Sequence, residues 1–87
     1  ANGYEWDEET CWSAASNGHL EELKWARAYG CPWNQQTCFS AASWGHLEVL
    51  KWALANGCEW NEEDCLVFAM RGGHDHVAAW IREQQHQ

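Results

Sequence analysis

Cys11, Cys38 and Cys65 stand 27 residues apart, and most of the chain falls into register on that spacing. Trp6 aligns with Trp33 and Trp60, Gly18 with Gly45 and Gly72, and Trp25 with Trp52. A unit this small cannot bury its own apolar face and must lean on a neighbour, so the period predicts a stacked array. The fold expected is an all-α helical-repeat solenoid filling 1–87, with units at 7–33, 34–60 and 61–87. Ala1-Asn2-Gly3-Tyr4-Glu5-Trp6 matches Ala55-Asn56-Gly57-Cys58-Glu59-Trp60 almost letter for letter. Residues 1–6 therefore read as the tail of a preceding unit, and the chain as a segment of a longer array.

Each unit reads as two short helices. Asp7, Asn34 and Asn61 can accept hydrogen bonds from the first free backbone N–H groups and are expected N-caps. First helices are expected over 8–17, 35–44 and 62–71, where Ala14, Ala15, Ala41, Ala42 and Ala69 permit close approach. Gly18, Gly45 and Gly72-Gly73 break them. Second helices are expected over 20–29, 47–56 and 75–85. There Leu20, Leu23 and Ala26, then Leu47, Leu50 and Leu54, keep the spacing of a buried stripe. Gly30 and Gly57 sit where a left-handed C-cap would stop the chain, and Pro32 follows the first. No segment alternates with the period of a strand, so little or no β-structure is expected. The third unit is degenerate: Asp75 replaces Leu20 and Leu47, and Ala78 replaces Leu23 and Leu50. It reads as a C-terminal cap turning a polar face to water, or else as a decayed internal unit.

Thirteen acids against 5 Lys and Arg give a net charge of −8. That argues against nucleic acid, whose binding needs basic side chains to neutralise phosphates. Asp7, Glu8 and Glu9, and later Glu62, Glu63 and Asp64, sit where helices should begin, and carboxylates there favour the helix dipole. No stretch approaches the ~20 apolar residues of a membrane span. No signal-peptide pattern opens the chain. The five cysteines are an odd number at repeat positions. Equivalent positions in stacked helices lie about 8–10 Å apart, beyond the about 7 Å between Cα atoms that a disulfide spans. The ladder is therefore expected to be free thiols in a reducing, intracellular compartment, with the cytoplasm favoured.

Cys11, His19 and Cys31 recur as Cys38, His46 and Cys58, which invites a zinc reading. Structural zinc sites are built on tight Cys or His pairs a few residues apart. Here Cys11 to His19 spans eight positions and Cys31 to Cys38 seven. Small buried cysteines explain the ladder without a metal. His74, His76 and His86 cluster near the end with no Cys at matched spacing. Ser13, Ser40 and Ser43 lie on helices without a nucleophile elbow, and Arg71-Gly72-Gly73-His74 lacks the spacing of a phosphate loop. No catalytic, cofactor or metal site is expected, and no enzymatic activity.

The segment from Thr37 through Cys38, Ala41-Ala42 and Gly45-His46-Leu47-Glu48-Val49-Leu50-Lys51 resembles an ankyrin repeat, and Asn56-Gly57-Cys58-Glu59-Trp60-Asn61 resembles its closing turn. More closely, Gly30-Cys31-Pro32-Trp33, Thr37-Cys38 and Trp52-Ala53 together resemble the short ankyrin-like repeats found in large arrays in giant viruses, algae and oomycetes. The resemblance implies a protein–protein interaction scaffold or binding module within a larger repeat protein. The alternatives are a zinc-binding Cys/His module and a structural spacer with no partner of its own. It also implies that His19 and His46 serve the Gly-His turn through structural hydrogen bonds. From Gly30 to Thr37 is 7 positions, where the ankyrin unit of about 33 residues spends about twelve. The projecting β-hairpin finger is thus shortened or absent. The family's Leu-Leu becomes Trp25-Ala26 and Trp52-Ala53, one large and one small side chain filling a similar volume.

Of the eight tryptophans, Trp6, Trp25, Trp33, Trp52, Trp60 and Trp80 repeat, as core positions do. Trp12 aligns with Phe39 and Leu66 and reads as apolar filling. Trp44 aligns with Asn17, so it is either a binding anchor or a side chain packed over its own turn or the next unit. The resemblance implies a concave side formed by the first helices and their loops. Positions that vary there while the frame stays fixed are the expected contact residues: Trp44, Asn17, Ser43, Ser16, Gln35 and Gln36. The surrounding carboxylates favour a basic protein partner.

Overall fold

The computed structural model describes residues 8–85. The expectations for segment 1–6 with Trp6, for Asp7 and for His86 lie outside the described residues, as do the side chains of Glu8 and Glu9. Six helices follow one another: α1 Glu8–Ser16, α2 Leu20–Ala28, α3 Gln35–Ser43, α4 Leu47–Ala55, α5 Glu62–Arg71 and α6 Asp75–Gln84. Their ends fall within one residue of those expected, and no strand occurs among the described residues.

Local chemistry starts and stops these helices. The Asn34 Oδ1 accepts a hydrogen bond from the Gln36 backbone N–H at 2.9 Å, and the Asn61 Oδ1 one from Asp64 at 3.0 Å. Both satisfy backbone groups left open at a helix start. Gly18 and Gly45 turn the chain between paired helices with φ of +71° and +80°, a region that side chains with a Cβ rarely enter. In the third unit Gly72 ends α5 in right-handed geometry and Gly73, at φ +76°, takes over the turn. This turn has two glycines before its histidine where the earlier turns have one, and the extra residue is absorbed there.

The first helices form the close-packed row, α1 on α3 and α3 on α5, and each packs on its own second helix. The stack measures 45 × 24 × 18 Å. Small residues explain the close approach: Ala14, Ala15, Ala41, Ala42 and Ala69 are buried along the row. Leu23, Val49, Leu50, Val77 and Ile81 fill the layer beneath the second helices, each contributing about 1.5–3 kcal/mol by burial.

Two expectations are corrected. No tryptophan among the described residues is fully buried, and Trp25 is 47% exposed. The gap between helices takes Ala26 and Ala53, both fully buried. Trp33, Trp52, Trp60 and Trp80 lie at the edge of the core, half-buried and packed against it. There they cover the linkers, Trp33 edge-on to Trp52 at 5.6 Å and Trp60 tilted on Trp80 at 6.3 Å. Ala78, expected to face water, is buried beside Val77 and Ile81. Helix α6 buries the same positions that α4 fills with Val49, Leu50 and Ala53, and Asp75, His76, Arg82 and Glu83 make its exposed face.

Candidate functional site

Trp44 caps the C-terminus of α3, its backbone N–H donating to the Ser40 carbonyl at 3.1 Å. Its indole is 65% exposed and leans back toward α1, sharing a groove with Trp12, Ser13, Ser16 and Asn17. Neither packing alternative covers it. Trp12 is half-buried. The Asn17 Nδ2 donates to the Ser13 carbonyl at 2.8 Å, which fixes it across the end of α1. The Ser16 carbonyl is held in turn by the His46 ring Nε2 at 3.0 Å. The groove is therefore built from restrained backbone, with a large apolar side chain standing free above it.

The six expected contact residues do not form one site. Trp44, Asn17 and Ser16 share the groove, and Ser43, half-buried, precedes Trp44 without lining it. Gln35 and Gln36 stand at the other end of α3, roughly 13 Å away along the helix axis. They line a separate hollow with Phe39, Asn61 and Asp64.

Four exposed apolar residues escaped the sequence reading: Tyr29 after α2, and Val67, Phe68 and Met70 on α5. Met70 occupies the place of Ser16 and Ser43, the same polar-to-apolar change that singled out Trp44, so the signal was present one unit later. Val67 and Phe68 correspond to Ser40 and Ala41, which α5 itself buries. Arg71 lies 5.5 Å from the centre of the Phe68 ring.

All five cysteines are free thiols, but one pair comes together within a unit. The Cys11 and Cys31 sulfurs are 2.8 Å apart, and in the second unit the Cys58 thiol donates to the Asn34 carbonyl at 3.3 Å. Comparing equivalent positions of neighbouring units could not show this, because the pair joins a first helix to the linker that ends its own unit. Burial, and then the contact with Cys31, pushes the Cys11 thiol up to about 12. Burial does the same for Cys65, up to about 12. The hydrogen bond to Cys58, with burial, raises Cys38, whereas that same bond holds Cys58 below the ordinary thiol range against its own burial.

Cys and His do not converge on a metal site. No three His, Cys, Asp or Glu side chains gather among the described residues. His19 is exposed, and the His76 ring meets the Gly45 carbonyl at 3.1 Å.

A family model described as ankyrin repeats (many copies) matches residues 11–54. The comparison with curated proteins and that with solved structures each find no significant match.

Proposed function

The chain belongs to the ankyrin-repeat family, and from that premise we propose that it works as a protein-binding scaffold whose contact surface centres on Trp44. Ankyrin repeats are in general protein–protein interaction modules. The observation that carries the reading is an indole 65% exposed beside Trp12, Ser16 and Asn17. A large aromatic within a polar rim is the composition of a contact hot spot. Ser43 and Met70 continue the same row, and Gln35 and Gln36 supply a second, polar contact area. Glu48, Glu63 and Asp64 are exposed on the same molecule, which favours a basic partner by steering and by excluding acidic ones.

The 27-residue unit without a projecting finger supports placing the chain with the short ankyrin-like repeats, as part of a longer array acting by binding alone. Free thiols throughout support a reducing compartment. Among the described residues no helix is long and apolar enough to cross a membrane.

Selection from a random peptide library on the immobilised chain, followed by measuring the selected pool on a Trp44→Ala variant, tests the proposal. The expected survivors are peptides rich in Lys or Arg that lose binding when Trp44 is removed. A pool that binds both proteins equally would place the contact surface elsewhere.

A further inference from the structure

The outward sides of α5 and α6 differ in character. The last unit of a stack is expected to turn polar residues to water in place of a neighbour. Helix α6 does so: Asp75 is exposed where α4 has Leu47, which packs against the core. Helix α5 does the reverse. Where α3 has Ser40, Ala41 and Ser43, α5 has Val67, Phe68 and Met70. Ser40 and Ala41 are buried on the helix against which α5 packs, whereas their larger, apolar counterparts are exposed. Phe68 is held edge-on to Phe39 at 5.0 Å, so the patch sits on the stack itself. The same side carries opposite charge at its two ends. Glu63, Val67 and Arg71 are spaced four residues apart, which puts them on one side of the helix, and all three are exposed. Arg82 adds a second guanidinium near the Arg71 end, its Nη2 donating to the Met70 sulfur at 3.5 Å. Asp64, also exposed, adds a second carboxylate at the Glu63 end. Neither Glu63 nor Arg71 forms an ion pair among the described residues.

We propose that this face binds a second copy of the chain, α5 against α5 in antiparallel order about a two-fold axis at Val67. Glu63 and Arg71 lie about 6 Å from Val67 along the helix, on opposite sides of it. In antiparallel order each Glu63 therefore stands opposite Arg71 of the second copy, and the symmetry makes the contact twice. Parallel order would set Glu63 against Glu63 and Arg71 against Arg71, which repel. Val67 meets its own copy at the centre, with Phe68 and Met70 beside it, giving an apolar middle within a charged rim. Two rival occupants fit less well. A further repeat unit would also meet Asp75 on α6, where α4 offers Leu47, whereas a second copy needs only α5. A partner of unrelated sequence has no reason to match acid and base at equal distances from the centre. Two helices of 10 residues bury little area, so the pair is reversible, of the weak and transient class.

Sedimentation equilibrium of the full chain, over a concentration series up to about 1 mM so that weak affinities are reached, tests the pairing. The average mass should rise from that of one chain toward that of two and stop there. Val67→Glu should keep the helical circular dichroism signal and weaken association at least about tenfold, since it sets like charges face to face. Glu63→Arg and Arg71→Glu should each weaken self-association when alone. An equimolar mixture of these two variants should restore it, because every acid then meets a base. A chain that stays monomeric throughout would overturn the proposal and leave the face to a further unit or another protein. Growth beyond two copies, or a mixture that associates no better than its components, would overturn the two-fold antiparallel order. The Trp44 groove contributes no residue to this pairing, so failure here leaves that reading standing.

Discussion

His46 reaches back across the stack to Ser16, its ring Nε2 lying 3.0 Å from the serine carbonyl, and the same ring fills the space above Gly18. A Cβ added at Gly18 would lie 2.6 Å from the His46 Nδ1. The turn of one unit and the histidine of the next are thus fitted to each other.

That fit separates two glycines of similar backbone. Gly30 has φ of +89° but nothing within 4 Å of an added Cβ. Gly30→Ala should cost about 1–2 kcal/mol from backbone strain alone. Gly18→Ala adds a collision with the imidazole and should cost about 2–4 kcal/mol. Urea denaturation of both variants measures the difference, and equal losses would mean that the histidine yields freely.

Thr37 presents the opposite case. It is fully buried, and its Oγ1 has no hydrogen-bond partner. An unsatisfied buried hydroxyl costs free energy that an isosteric methyl does not. Thr37→Val should stabilise the chain by about 1 kcal/mol, read as a raised midpoint of thermal unfolding.

Helix α6 supplies a third test. Ala78 is buried against Val77 and Ile81, so Ala78→Leu inserts three carbons into a closed space and should destabilise by about 1–3 kcal/mol. A stability gain in chemical denaturation would show that room remains there for a larger side chain.

Alkaline pH should loosen the fold through its buried thiols. Cys11 and Cys65 are raised from 9.0 to about 12 in the folded chain. Because folding favours the protonated form, their contribution is fully present below the unfolded value and is lost as pH rises toward the folded one. Stability should therefore fall between about pH 9 and 12, and less steeply in a Cys11→Ala, Cys65→Ala double variant. Unfolding curves at several pH values check both slopes.

The helices were legible in the sequence because their signals are local: Asn34 and Asn61 at the starts, glycines at the stops, alanines down one face. The depth of the tryptophans was not. Repetition marks a position as structural, but it cannot tell a core site from a half-buried one that shields a linker, as Trp52 does at Trp33. At the candidate site, Trp44 was found by its departure from Asn17, and Met70 was missed although it departs from Ser16 and Ser43 in the same way. The Cys11–Cys31 contact lay hidden for another reason. Its partners are 20 residues apart, and only the return of the chain after α2 brings them together.

Trp44 is the proposed anchor for a protein partner. Isothermal titration of a selected peptide into the chain and into its Trp44→Ala variant tests it directly, with Tyr29→Ala, another exposed aromatic, as control. Trp44→Ala should weaken binding by roughly 1–3 kcal/mol, with an unchanged circular dichroism spectrum and no loss for the control. Unaltered affinity, or a variant that no longer folds, would contradict it.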